Sequence, residues 1–522
     1  MGDQIIQPEI NRLLGDSLLV AERKHPAKLV ASTAEGEFTY RELLQYAVAL
    51  ANALQLQGIE RGDRVAIYMD NSWPAIYSLY GVILAGGVFV MINPQTKADK
   101  LAYILDDSDA KVLLTNSHLK DNFLPILKHA TKLTGVFYSG ETIQASAKNI
   151  SIKHLDSALG NASAGNIFST SIPTDLASLV YTSGSTGAPK GVMHTHQSML
   201  FALNSLVEYL RLSSNDKILN ILPFAFDYGL YQLLMTVHLG ATLVLEKSFV
   251  FPAPVFKRML ENEVTVFPGV PTIFSMFLAS HGRNKLHFPS VTRVTNTAAA
   301  LPADFIPNLK DIFPNALIYK MYGLTECKRV CYLEPELIDQ HPQSVGKAIP
   351  GTEVFLLSAA GEPVAPGDAG ILHVRGPHIM LGYWKQEELS NKMLKGDIYP
   401  NQSILCTHDW FKMDDNGLLY FIGRSDDIIK TRGEKVSPVE VENVLHGLKG
   451  IKDAAVIGVV DETLGQSIKA FVSLEENGSL NDMQIKKWCA TNLENHMVPK
   501  EIVVLPELPK SANGKIDKKQ LA

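Results

Sequence analysis

Leu179-Val180-Tyr181-Thr182-Ser183-Gly184-Ser185-Thr186-Gly187-Ala188-Pro189-Lys190-Gly191-Val192 is the stretch that decides how this chain is read. Residues 179–181 read as the end of a buried strand. Thr182, Ser183, Gly184, Ser185, Thr186 and Gly187 follow, and Lys190 comes just after them. Glycines let a backbone turn tightly and approach a ligand closely. Consecutive backbone N–H groups, hydroxyls and one ammonium suit phosphate oxygens. The glycine-to-lysine spacing is wrong for a Walker A loop. A solvated Gly/Ser turn is the plainer alternative.

The whole chain sets bounds around that stretch. Its 522 residues are long for one domain. Hydrophobic residues make up 46% and charged residues 20%, as in ordinary globular proteins. With 48 basic and 54 acidic residues the net charge is −6, which argues against nucleic-acid binding through bulk charge. Cys327, Cys331, Cys406 and Cys489 form no C-x-x-C pair, so neither a zinc site nor a disulfide framework is expected. A reducing, cytoplasmic setting fits best. No secretory signal and no apolar run of membrane-spanning length is seen, so no membrane partner is expected.

Along the chain, residues 38–58 read as a helix with Thr39 as its cap. Residues 64–69 and 88–92 read as strands, 73–85 and 97–106 as helices, and 110–114 as another strand. Strands separated by helices predict parallel sheets of α/β type. Residues 139–175 read as a connection with short elements. His194-Thr195-His196 opens a helix on this reading; the pair is a packing feature or, less simply, part of a metal site. The strand from 218 runs into a turn with Asp227 between aromatics. That carboxylate caps the next helix or faces a substrate ammonium. Residues 264–267 and 291–294 read as strands. The small side chains at 298–300 would let a flat ring approach the backbone.

Tyr319-Lys320-Met321-Tyr322-Gly323-Leu324-Thr325-Glu326 is a second informative run. Tyr322 offers a flat ring face, Thr325 a hydroxyl, and Glu326 hard oxygen of the kind Mg²⁺ takes. Further on come Thr407-His408-Asp409, a turn at Asp415-Asn416-Gly417, and Gly423-Arg424-Ser425-Asp426. Residues 431–437 read as a loop, and Pro438 suits the first turn of the following helix. Ser511-Ala512-Asn513-Gly514 is turn chemistry that presents Lys515.

Taken in order, these motifs resemble the adenylate-forming, AMP-binding superfamily, which holds acyl-CoA synthetases, adenylation enzymes of peptide-synthetase type and luciferases. The resemblance implies an α/β fold: a large N-terminal domain of parallel-rich sheets flanked by helices (1–424), and a small α+β C-terminal lid domain (425–522). It implies an ATP site of Thr182, Ser183, Gly184, Ser185, Thr186, Gly187, Lys190, Ala299, Tyr322, Gly323, Asp409 and Arg424. Asp409 would hold the ribose hydroxyls. Thr325, Glu326 and Lys515 would be catalytic, with Glu326 the ligand of Mg²⁺. Asp227, Tyr228, Tyr231, Thr272, Thr297, Met321 and Arg329 would shape the acid pocket. Asp426 would be the hinge, and Gly433, Glu434 and Lys435 would line the thiol channel. The family has Thr-Gly-Asp where this chain has His408, and a histidine does not easily take a positive φ. The family also often has glycines where this chain has alanines at 298–300.

The implied reaction is ATP-dependent adenylation of a carboxylic acid with release of pyrophosphate, then transfer to a pantetheine thiol. Asp227 points to an amino acid passed to a separate acyl or peptidyl carrier protein, since Lys515 lies close to the end of the sequence. The alternative is an acyl-CoA ligase that uses coenzyme A and a non-amino acid. A luciferase-like oxygenase and a non-catalytic nucleotide-binding module are further alternatives.

Overall fold

The structure is a computed structural model and describes residues 10–160, 171–183, 189–397, 399, 402–424, 427–431, 434–461, 465–475, 478–493, 495–511 and 514–521. It is mixed α/β, with parallel-rich sheets, helices and a small C-terminal α+β part. Two compact units emerge: Met1–Phe267 with Leu324–Lys328 and Gly376–Ser403, and Pro268–Gly323 with Arg329–Arg375 and Ile404–Ala522.

In the first unit an eight-stranded sheet runs in the order Gly382–Tyr383, Pro189–Thr195, Leu176–Ser183, Val88–Ile92, Arg64–Tyr68, Ala110–Asn116, Gly135–Ser139, Ser151–His154. From Leu176–Ser183 to Ser151–His154 the neighbours pair in parallel. All of Val88–Ile92 is buried, as in a parallel strand covered on both faces. One face (Ala66, Tyr68, Val88, Val90, Ile92, Leu113) packs on Leu101, Ile104 and Leu105 of the helix Ala98–Asp107. Local chemistry sets the helix ends. Thr39 caps Tyr40–Leu56 and Glu42 reaches back to the Thr39 N–H at 2.7 Å, a capping box. Ser72 caps Trp73–Leu84, which has a proline in its first turn. A second set of parallel strands in this unit pairs Lys217–Asn220 with Thr242–Leu245, and the latter with Leu29–Ser32.

The Gly/Ser-rich stretch joins two antiparallel strands. Leu176–Ser183 runs against Pro189–Thr195, with Thr182 opposite Lys190 and Ser183 opposite Pro189. The helix His196–Tyr209 begins only after that second strand. Residues 184–188, with Gly184, Ser185, Thr186 and Gly187, lie outside the described residues.

In the second unit Arg293–Asn296 pairs in parallel with Leu317–Tyr322, which continues antiparallel into Cys331–Leu333. Glu353–Leu357, Ala369–Arg375, Ser403–Met413 and Leu419–Arg424 form an antiparallel run. Gly417 makes the last turn at φ +76°, closing on the Asp414 carbonyl. The C-terminal part packs the helices Pro438–His446 and Asp482–Asn492 on a sheet of Ile429–Thr431, Glu434–Val436, Ile451–Asp461, Gly465–Leu474 and Glu501–Val504. Val441, Leu445, Ile485 and Cys489 meet Val456, Ala470 and Val472 in its core. Among the described residues, no helix is long and apolar enough to cross a membrane.

Candidate active site

In the first unit Lys190 stands on the outgoing strand of the glycine-rich stretch. Its Nζ lies 5.5 Å from the centre of the Tyr383 ring, within the range of a cation–π contact. The Tyr383 hydroxyl donates to Glu326 Oε1 at 2.6 Å. Burial, and then the Glu326 charge, push the Tyr383 phenol well above its ordinary pKa, so it stays a donor. The loop stem and the acidic turn are thus joined through one tyrosine, to which the sequence reading gave no role.

Thr325 and Glu326 sit in a turn, not at a helix start, with the Cys327 N–H donating to the Leu324 carbonyl at 3.1 Å. Two backbone carbonyls anchor that turn. Glu326 O accepts from the Met380 N–H at 2.8 Å, and Thr325 O from His194 Nε2, also at 2.8 Å. His194 is fully buried, and burial followed by the Lys328 charge drives its pKa well down. The imidazole is neutral, and its carbonyl partner fixes the proton on Nε2. His196 Nδ1 accepts from the Leu14 N–H. Both histidines are therefore packing groups. No cluster of three His, Cys, Asp or Glu suited to a metal occurs among the described residues.

Asp227 departs from the cap reading. Phe226 holds the cap position and Asp227 is the first residue of the helix Asp227–Leu239. Its Oδ1 accepts from Lys328 Nζ at 2.8 Å, in an ion pair whose side chains are 8% and 1% exposed. The ammonium that faces it in this structure is an internal one, that of Lys328. A buried carboxylate needs a partner, and Lys328 brings it from a backbone at φ +63° just beyond Glu326. Tyr228 and Tyr231 are buried on the same helix, with the Tyr231 hydroxyl donating to the Met199 carbonyl.

In the second unit the Tyr322 hydroxyl donates to Asp409 Oδ2. Its ring stacks at 6.0 Å on Phe421 and meets Phe411 edge-on at 4.9 Å. Arg424 Nε lies 3.6 Å from Asp409 Oδ1. Asp409 is buried on a bulge: Cys406 faces His373 and Trp410 faces Ile371, so three residues stand opposite Leu372. Thr407 Oγ1 donates to the Leu372 carbonyl at 2.8 Å and accepts from the Asp409 N–H at 3.1 Å. His408 adopts φ +57°, the left-handed conformation expected to resist it, and its side chain is exposed.

Lys515 is partly buried in the same unit. Burial first, then the charges of Arg424 and Arg329, lower its pKa to about 8, against the pull of Asp409. Arg329, which the resemblance places at the acid pocket, is 4% exposed. Met321 and Thr297 are also buried, and Gly323 follows the strand that carries Tyr322. Thr272 lies in the first turn of the helix Pro271–Asn284, its hydroxyl donating to the Gly514 carbonyl at 2.7 Å. Asp426 and Gly433 lie outside the described residues; Glu434 and Lys435 begin the strand Glu434–Val436.

Ala299 is exposed, and Ala298 before it takes φ +77°. Ala298 therefore keeps a backbone path open chiefly to glycine. That conformation costs an L-residue roughly 1–2 kcal/mol, and glycine's freedom in the unfolded chain offsets about 0.4–1 of it. Ala298→Gly should raise stability by about 0.5–1 kcal/mol, read as a higher urea midpoint at unchanged slope. A lower midpoint would refute the strain.

Residues 20–384 match the AMP-binding enzyme family, and residues 440–515 match the AMP-binding enzyme C-terminal domain. The chain belongs to the AMP-binding enzyme family. This AMP-binding enzyme is 30% identical to the long-chain-fatty-acid–CoA ligase of Bacillus subtilis strain 168, over 98% of this chain and 95% of that one. It is 27% identical to a linear gramicidin synthase of Brevibacillus parabrevis, over 93% of this chain but 6% of that much longer protein. Its fold matches that of an anthranilate CoA ligase in complex with anthranoyl-AMP, at TM-score 0.91 and 27% identity, over 98% and 97% of the two chains. It is accordingly an adenylate-forming acid–thiol ligase that uses ATP.

Proposed function

We propose that this AMP-binding enzyme is an acid–CoA ligase that activates a carboxylic acid without needing an α-amino group. The observation that carries the choice is the Asp227–Lys328 pair. The carboxylate that would have selected an amino acid is already neutralised by the protein's own lysine. The CoA ligases among its relatives support coenzyme A as the acceptor.

In the first half-reaction a carboxylate oxygen attacks the α-phosphorus of ATP, and the bond to pyrophosphate breaks. Lys515 offsets the charge gathering on the α-phosphate and the entering carboxylate. Lys190 and the hydroxyl- and glycine-rich stretch hold the β- and γ-phosphates. Asp409 accepts hydrogen bonds from the ribose hydroxyls, as a two-oxygen acceptor can. Mg²⁺ typically binds through one or two carboxylates plus phosphate oxygens. Glu326 fits that part, because Tyr383 engages one carboxylate oxygen and steadies the group. When bound, Mg²⁺ would be held by Glu326 together with phosphate oxygens and would supply charge neutralisation there. In the second half-reaction the thiol sulfur attacks the acyl carbon and AMP leaves. The segment 425–522 swings about Asp426 between the two steps, withdrawing Lys515 and presenting Gly433, Glu434 and Lys435 to the thiol. Such exchange of a wall lets one site serve two reactions.

A second reading, an amino acid loaded onto a carrier protein, has the match to the gramicidin synthase in its favour. Acid-dependent ATP–pyrophosphate exchange with octanoate, benzoate, malonate and phenylalanine, followed by thioester assay on coenzyme A and on a carrier protein, tests both. Turnover of phenylalanine alone with transfer only to the carrier would overturn the proposal.

Lys515 acts as a cation, and its ammonium is lost as pH rises through about 8 rather than near 10.5. The exchange kcat/KM for ATP, which reports the free enzyme, should therefore fall above pH 8. Lys515→Arg keeps its charge there and should lose that limb at whatever rate it retains. A parent profile flat to pH 9.5 contradicts the assignment.

A further inference from the structure

We propose that Thr272 is a positioning residue that holds the Lys515 turn in place for adenylation, an inference that rests on the role given to Lys515 above. Thr272 and Gly514, the residue before Lys515, are 242 positions apart in the chain. The turn is closed on itself. Ser511 N–H donates to the Lys515 carbonyl at 2.7 Å, Gly514 N–H to the Ser511 carbonyl at 2.9 Å, and Lys515 N–H to Ser511 Oγ at 3.3 Å. A turn closed in this way moves as a body, so its position is set by what it touches outside itself.

Thr272 supplies one such outside contact. Its hydroxyl donates to the Gly514 carbonyl at 2.7 Å. That carbonyl and the Lys515 N–H belong to one planar peptide unit. Fixing the oxygen therefore fixes the plane from which the Lys515 Cα departs. Thr272 is itself held in the first turn of a helix whose leading residue is Pro271, so its backbone is stiff. Gly514 completes the fit. It sits at φ +74°, and a Cβ there would come within 3.1 Å of Thr272 Oγ1, tighter than an ordinary contact. Thr272 was expected to shape the acid pocket. Its hydroxyl also reaches the turn that carries the Lys515 ammonium, through the Gly514 carbonyl.

Two measurements on the full chain test this. The first needs no substrate. Amide hydrogen exchange over residues 508–519 should be about fivefold to tenfold faster in Thr272→Val than in the parent, the worth of one hydrogen bond, and near the parent rate in Thr272→Ser. The second separates the half-reactions. Thr272→Val should lose about fivefold to tenfold in kcat for pyrophosphate exchange, with the KM for ATP little changed. Thioester formation from preformed benzoyl- or octanoyl-adenylate and coenzyme A should not slow. Thr272→Ser should restore exchange. Parent-like amide protection in Thr272→Val, equal slowing of both half-reactions, or a serine variant no better than valine would each overturn the proposal. If Thr272→Val exchanges at the parent rate while Lys515→Ala does not exchange, the latch fails and the role of Lys515 stands.

Discussion

A Lys515→Ala chain is expected to form acyl-adenylate about 100- to 1000-fold more slowly than the parent, the usual consequence of removing one preorganised charge from a developing oxyanion. Lys515 is partly buried, with Arg424, Asp409 and Arg329 as its charged neighbours. Water fills the space left by an alanine, but it carries no fixed charge and must reorient as the phosphorus changes partners. The loss should fall on kcat for pyrophosphate exchange. Thioester formation from a preformed adenylate should stay within about threefold of the parent, because on the proposed mechanism that step proceeds with the ammonium withdrawn. A Lys515→Ala protein that exchanges pyrophosphate at the parent rate would end this account of the chemistry.

Removing one partner of the buried pair is the second large effect. Lys328→Met should destabilise the chain by about 3–5 kcal/mol, because Asp227 is left as an uncompensated buried charge. The pair is 1% and 8% exposed at 2.8 Å, so solvent screening offers little relief. The double change Asp227→Leu with Lys328→Met removes both charges and should recover most of the loss. Denaturant unfolding of the parent, both single variants and the double variant gives the coupling directly. Additive single effects would show that the pair is not coupled. The same variants inform specificity: if Asp227→Leu abolishes activation of phenylalanine but not benzoate, the carboxylate does meet a substrate ammonium.

The fold was legible where the signal is local. Thr39 with Glu42 marks one helix start through bonds made within a single turn, and Pro438 marks another through its fixed backbone angle. The helix Pro438–His446 therefore lies where the sequence puts it, and the alternating strands and helices of residues 64–116 imply the parallel pairing that is found. Less was legible where the decisive partner is remote. Asp227 reads as a cap or a ligand because nothing near it in sequence announces Lys328, 101 positions on. Tyr383 looks like one of many aromatics until the fold brings Glu326 to its hydroxyl, from 57 positions away. Thr182 and Lys190 read as strand, loop and lysine; that they face each other across two antiparallel strands depends on a register that a glycine-rich loop does not reveal. His408 was expected to clash with a positive φ. The bulge opposite Leu372 turns its side chain out to solvent, and the conformation is accommodated.

Ala298 and His408 share one property: each is an L-residue resting in a backbone shape usually left to glycine. Substitutions at either place therefore trade side-chain identity against backbone strain, which makes both positions places where a change of residue alters stability without removing a buried contact.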